Sequence, residues 1–312
     1  GEYVVMLSVE ENGCTGAPDT ARIEVDDLLQ TPAVQCHATY TSATFTWPAQ
    51  PNAAQHNVLN LSGGGGMMRR PMGFCRELVR QRARELHVFQ FLAGLETDLL
   101  IGARAVASTN AAYVGLLEYG PAPNFSRIVP EGSFKVNEYS EFLLIAVLRA
   151  ADMGLPFLPW KTPWKSDLTA NLGIKTVRSP YDDGEYLAAP ACHLDFAVIH
   201  VHRVDADGYV HAPAAPDLIY DFDYLIGRVA KTTIVCAEEI VPVSDPARVA
   251  LIGPEVAHVV HTPRGAWPTG VFSAYEPDIE HLSGEYLKAA NDGEEAFAAY
   301  LQKFVFDWNC GA

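Results

Sequence analysis

The chain has 312 residues, 49% apolar and 19% charged, so it can bury a sizeable core and is not expected to be disordered. A formal net charge of −16 excludes a nucleic-acid binder, because phosphate contacts require an excess of Lys and Arg, and an anionic ligand would need a local basic patch. Six scattered cysteines without a CxxC pair and no apolar run of about 18 residues point to free thiols and no membrane span.

Residues 1–56 read as an N-terminal extension with one or two strands, and residues 57–312 as the main domain. No signal-peptide pattern opens the chain, so a cytoplasmic protein is expected. Val58-Leu59-Asn60-Leu61 reads as a short strand that runs into Ser62 and four glycines. A helix is predicted over 71–84, with Pro71 near its first turn, where a missing N–H costs little. Then follow a strand over 86–92, a helix over 96–103, a strand over 105–112 and a strong helix over 140–153. Gly154 and Pro156 stop that last helix. Further strands are predicted over 196–204, 232–238 and 256–262, and two helices over 284–306 around Asn291-Asp292-Gly293. Apolar strands alternating with amphipathic helices predict an α/β fold with a mostly parallel, doubly covered sheet.

Gly63, Gly64, Gly65 and Gly66 are the first functional signal. Backbone without Cβ approaches a ligand closely, and N–H groups near a helix start can converge on an oxyanion. The alternative is a plain flexible turn. The run matches neither GxGxxG with its downstream acid nor GxxxxGK[ST], so a nucleotide site is not expected. Arg69 and Arg70 follow directly, either as phosphate contacts or as a solvated helix start.

These residues resemble family I coenzyme A transferases, in particular their glutaconate-type α subunits, which have a NagB-like α/β fold. The resemblance rests on Leu59-Asn60-Leu61-Ser62 with the glycines, Arg69-Arg70-Pro71, and on Gly154-Leu155-Pro156-Phe157-Leu158-Pro159 after the 140–153 helix. It continues in Asp205-Ala206-Asp207-Gly208, in Cys236-Ala237-Glu238-Glu239-Ile240 and in Pro263-Arg264-Gly265-Ala266-Trp267-Pro268. Trp267 stands where the family has His. The resemblance implies a ping-pong reaction. A glutamate supplied by a β-type partner attacks an acyl-CoA thioester to give a mixed anhydride, and CoA thiolate then converts it to a glutamyl-CoA thioester. It further implies acyl-CoA and coenzyme A as substrates, no permanently bound cofactor, and a hetero-oligomer with the site between subunits.

Glu141 supports a second reading. A subgroup with this fold, hydrolases that open rings in CoA thioesters of steroid breakdown, uses the second acid of the same Glu-x-x-Glu run, here Glu138-Tyr139-Ser140-Glu141, to activate water or remove a proton. The other reading of Glu141 is a first-turn charge on the helix dipole. Trp160 and Trp164 are candidates for an acyl-pocket wall, and Lys161 and Lys165 for CoA phosphates; loop packing is the alternative. Glu11, in Glu10-Glu11-Asn12-Gly13, matches the family's nucleophile tripeptide but also reads as a surface hairpin turn. His200 and His202 project to one strand face. They read as packed or interface residues, with no third ligand evident for a metal. Asp221 to Tyr224 read as a helix start or a partner contact. A non-catalytic protein of the same fold is the third reading.

Overall fold

Strands covered on both faces need apolar residues at successive positions, and this chain supplies several such runs. The computed structural model describes residues 2–8, 21–23, 42–48, 58–62, 67–161, 166–213, 220–243 and 245–307. Strands β1 (Glu2–Ser8), β2 (Ala21–Ile23) and β3 (Ser42–Pro48) form a separate sheet in the order β1-β3-β2. The main domain then runs β4 (Val58–Ser62), α1 (Met72–Arg80), β5 (Leu86–Ala93), α2 (Leu95–Gly102), β6 (Val106–Val114), α3 (Pro123–Ile128), β7 (Lys135–Glu138) and α4 (Glu141–Asp152). A small antiparallel sheet follows, from β8 (Phe157–Trp160), β9 (Lys175–Arg178) and β10 (Glu185–Pro190), with α5 (Asp167–Asn171) between the first two. The chain returns to the main sheet with β11 (Phe196–Asp205), β12 (Val210–His211), α6 (Tyr220–Val229), β13 (Thr232–Val241), β14 (Val249–Leu251) and β15 (His258–His261).

Seven strands are mutually parallel in the order β15-β13-β11-β4-β5-β6-β7. Alternation along β5 feeds both faces: Val88 joins the core under α1 and α2, while Phe89 and Phe91 pack with Leu143, Leu144 and Val147 of α4 and Leu225 of α6. The first face is closed by the C-terminal segment, α7 (Ile279–His281), α8 (Lys288–Asn291) and α9 (Glu294–Leu301), with π-helical turns over Leu282–Leu287 and Gln302–Phe306. Asp98 of α2, fully buried, anchors this segment: it accepts hydrogen bonds from the Tyr286 hydroxyl (2.8 Å), Asn124 Nδ2 (3.0 Å) and the Phe125 N–H (2.8 Å).

Helix α1 ends four residues before the predicted 84. Arg82 adopts a left-handed conformation, φ 56°, and the Ala83 N–H reaches back to the Leu78 carbonyl in a six-to-one closure. Arg104 closes α2 in the same way, at φ 58°. Arginine carries no left-handed preference, so neither stop was readable. Gly154, which does, ends α4 where expected. The antiparallel strands β8–β10, β12 and β14 and the π-helical turns were not predicted.

Candidate functional site

Chain connections diverge at the middle of the parallel sheet. From β4 the path goes through α1 to β5 on one side; from β11 it goes through α6 to β13 on the other. The carboxyl ends of β4 and β11 therefore flank a switch-point crevice, where open α/β sheets bind ligands. The same β11 edge pairs with β4 only over Phe196 to Ile199 and meets β12 again only at Val204, opposite Val210. Between these contacts the edge is open to side chains.

Arg69 fills part of that gap. Its Nη1 donates to the His200 carbonyl (3.1 Å) and its Nη2 lies 2.8 Å from Asp223 Oδ2 on α6. Arg70 turns the opposite way, its Nη1 donating to the Leu92 carbonyl at the end of β5 (2.8 Å) and to Glu96 Oε1 at the start of α2 (3.1 Å). Glu96 Oε1 also accepts from Gln90 Nε2 and the Gly94 N–H. Both arginines are only 2–3% exposed. The expected phosphate contact is therefore corrected: these cations neutralise buried carboxylates, and the two residues act as anchors on either side of the crevice. Asp223, expected in a helix start or partner contact, is one of those internal partners.

A second buried cluster was not foreseen as such. Glu238, near the carboxyl end of β13, accepts from His200 Nε2 (2.7 Å), the Tyr275 hydroxyl and the Arg264 N–H. Burial pushes its pKa up, but the His200 hydrogen bond and charge, with the other two donors, outweigh burial and hold the carboxyl below its usual range. Burial and the adjacent Glu238 charge push the Tyr275 phenol well up. A Glu-Glu pair at the end of an apolar strand was the available signal, and it was read only as a motif match. His202 lies 3.3 Å from Glu239. Among the described residues no group of three His, Cys, Asp or Glu is placed to hold a metal ion.

Glu141 occupies the first turn of α4, exposed at the carboxyl end of β7. The helix cap is Ser140, whose Oγ accepts from the Leu143 N–H (3.2 Å). Among the described residues the Glu141 carboxylate has no hydrogen bond or ion pair. Its neighbour Phe142 is 70% exposed and stacks on Trp160 with ring centroids 6.4 Å apart. Glu141 and Trp160 are thus brought to one surface. Lys161 is exposed, its Nζ 5.6 Å from the Tyr186 ring centroid. Gly63, Gly64, Gly65, Gly66, Trp164, Lys165 and the Glu11 turn lie outside the described residues.

The fold and its crevice define a doubly covered α/β protein of the CoA-transferase architecture. It superposes on glutaconate coenzyme A-transferase from Acidaminococcus fermentans with a TM-score of 0.73 at 27% identity, covering 81% of this chain and 84% of that one. The decarboxylase AibA/AibB gives a TM-score of 0.71 at 29% identity, with 80% and 93% covered. A sequence model described as Coenzyme A transferase matches residues 56–260, and the chain belongs to that family. It is 30% identical to the A-type subunit of the A. fermentans glutaconate CoA-transferase over 267 residues, 78% of this chain and 82% of that protein. It is also 30% identical over 256 residues to the cholesterol ring-cleaving hydrolase IpdA subunit of Rhodococcus jostii, covering 77% and 85%. A protein of Archaeoglobus fulgidus is 35% identical over 84% of this chain, which spans only 58% of that relative's length. No helix among the described residues is long and apolar enough to cross a membrane.

Proposed function

We propose that this chain is the α-type subunit of a CoA-transferase that moves CoA between an acyl-CoA thioester and a carboxylic acid. The observation that carries this reading is the state of the carboxylates flanking the crevice. Glu96, Asp223 and Glu238 are each buried and bound to Arg70, Arg69 or His200, so none is presented as a nucleophile. A glutamate from a β-type partner completes the site, in line with the transferase relatives, which are named as one of two kinds of subunit.

In this scheme the partner's carboxylate attacks the thioester carbonyl and expels CoA thiolate, leaving a mixed anhydride. The thiolate attacks the glutamyl carbonyl and releases the first acid; an acceptor carboxylate reverses both steps. The part of this chain is to place backbone N–H groups of residues 63–66 at the developing oxyanion, in a crevice whose internal charges are already neutralised. Trp160 and Phe142 wall the acyl side, and Lys161 meets the CoA phosphates.

Glu141 favours a second reading, hydrolysis, because it is an exposed carboxylate without a partner among the described residues, on the surface it shares with Trp160. The test is to purify the chain together with its β-type partner, then to assay a panel of acyl-CoA esters with acetate as acceptor. Acetyl-CoA formation, with borohydride trapping a glutamyl thioester on the partner, supports transfer. Thioester or ring cleavage without acceptor, abolished in Glu141→Ala, replaces transfer by hydrolysis.

A further inference from the structure

The Glu238 carboxylate joins three parts of the fold. Its own strand is β13; His200 belongs to β11, the switch-point strand; Arg264 and Tyr275 belong to the segment after β15. Tyr275 passes the connection on, since its hydroxyl also accepts the Ala266 N–H. The turn so fixed meets the chain that leads into α1. The Gly73 N–H donates to the Gly265 carbonyl (2.7 Å) and the Arg69 N–H to the Gly270 carbonyl (2.7 Å). The Gly270 N–H donates to the Met67 carbonyl (2.8 Å), and the Arg70 N–H to Thr269 Oγ1 (3.3 Å). From the other side, the His200 carbonyl receives the Arg69 guanidinium. Residues 67–70 are thus gripped along two routes that both begin at Glu238.

The grip holds a backbone that does not stay in place unaided. Arg69 sits at φ 51°, a left-handed conformation that non-glycine residues rarely adopt without outside support. Arg264, on the supporting turn, is also left-handed at φ 55°. Clearance is minimal as well: a Cβ on Gly265 would stand 2.7 Å from the Thr262 carbonyl oxygen and 2.9 Å from His200 Cε1.

We propose that Glu238 is a positioning residue. Its buried carboxylate ties β11, β13 and the 264–270 turn together and so sets the backbone of residues 67–70 at the mouth of the β4–β11 crevice. Its relevance to turnover rests on the proposed function; the positioning itself does not.

Glu238→Gln tests this while keeping the volume. A carboxamide cannot accept from both His200 and Tyr275 on one side and from the Arg264 N–H on the other, so one donor loses its acceptor. In the complex with the β-type partner, hydrogen exchange of residues 67–72 should rise about tenfold, while β5 and α9 stay within about twofold of the unmodified protein. Tyr275→Phe, which removes a single hydrogen bond to Glu238, should give the same local pattern at about threefold, and it serves if Glu238→Gln does not fold. Unchanged exchange at 67–72, or a uniform rise throughout the chain, overturns the proposal. Titration with free coenzyme A keeps the two readings apart. A local rise together with about tenfold weaker CoA binding supports both. A local rise in a protein that never binds CoA upholds the positioning role and sinks the thioester reading.

Discussion

Arg69 and Asp223 lie 2.8 Å apart with only 2% of either side chain exposed, and they join the chain leading into α1 to the helix on the opposite face of the sheet. Removing one member leaves a buried, uncompensated charge. Asp223→Ala should therefore cost about 3–5 kcal/mol, whereas Arg69→Met combined with Asp223→Leu should recover most of that loss. Urea denaturation of the three proteins checks this. A double variant as unstable as Asp223→Ala would mean that the ion pair is not the source of the loss.

Glu141 and Ser140 are adjacent but should behave differently. Ser140 caps α4, so Ser140→Ala should cost about 1 kcal/mol. Glu141 is exposed and contributes only a first-turn charge, so Glu141→Gln should change stability by no more than about 0.5 kcal/mol. Thermal melts of both variants decide whether Glu141 is dispensable to the fold. If it is, any activity lost in Glu141→Gln belongs to chemistry or binding.

Asp98 links stability to pH. Burial pushes its pKa from 3.8 to about 6, against the hydrogen bonds from Phe125, Tyr286 and Asn124 that favour the charged form. The folded value lies above the unfolded one, so folding favours the protonated acid. The stabilisation is complete below about pH 4 and is lost as pH rises through about 6, to a total of about 3 kcal/mol. Asp98→Asn cannot titrate. The difference in unfolding free energy between the two proteins, measured from pH 4.5 to 7.5, should therefore shift by most of that amount; a pH-independent difference would refute the assignment.

Gly265→Ala should destabilise the fold by about 2 kcal/mol or more, because the new Cβ meets a backbone carbonyl at 2.7 Å and the His200 ring at 2.9 Å. Gly132→Ala supplies the comparison. Nothing lies within 4 Å of a Cβ there, so only the cost of its positive φ remains. Equal losses at the two positions, measured by calorimetry, would contradict the tight fit at Gly265.

Parallel strands and their order along the chain were legible because burial on both faces forces apolar runs such as 196–199 and 232–237, whatever the partners. The strong helix with its Gly154 stop was legible for a similarly local reason. Glycine punctuation and the Arg69-Arg70-Pro71 run were enough to carry the family resemblance. The fate of the charges was not local. Arg69 and Arg70 look like solvated or ligand-binding cations in sequence, and their carboxylate partners, Asp223 and Glu96, stand 154 and 26 positions away. The Glu238 cluster draws on β11, β13 and the segment after β15, which come together only when the sheet order is known.

What the amino-acid order determined by itself is therefore the α/β class, the positions of most strands and helices, and family membership, since each follows from short-range pattern. Only the tertiary structure decided which charged groups remain available. Burial makes an unpaired charge too costly to keep, so folding matched Arg69, Arg70, Glu96, Asp223 and Glu238 with internal partners and left Glu141 exposed.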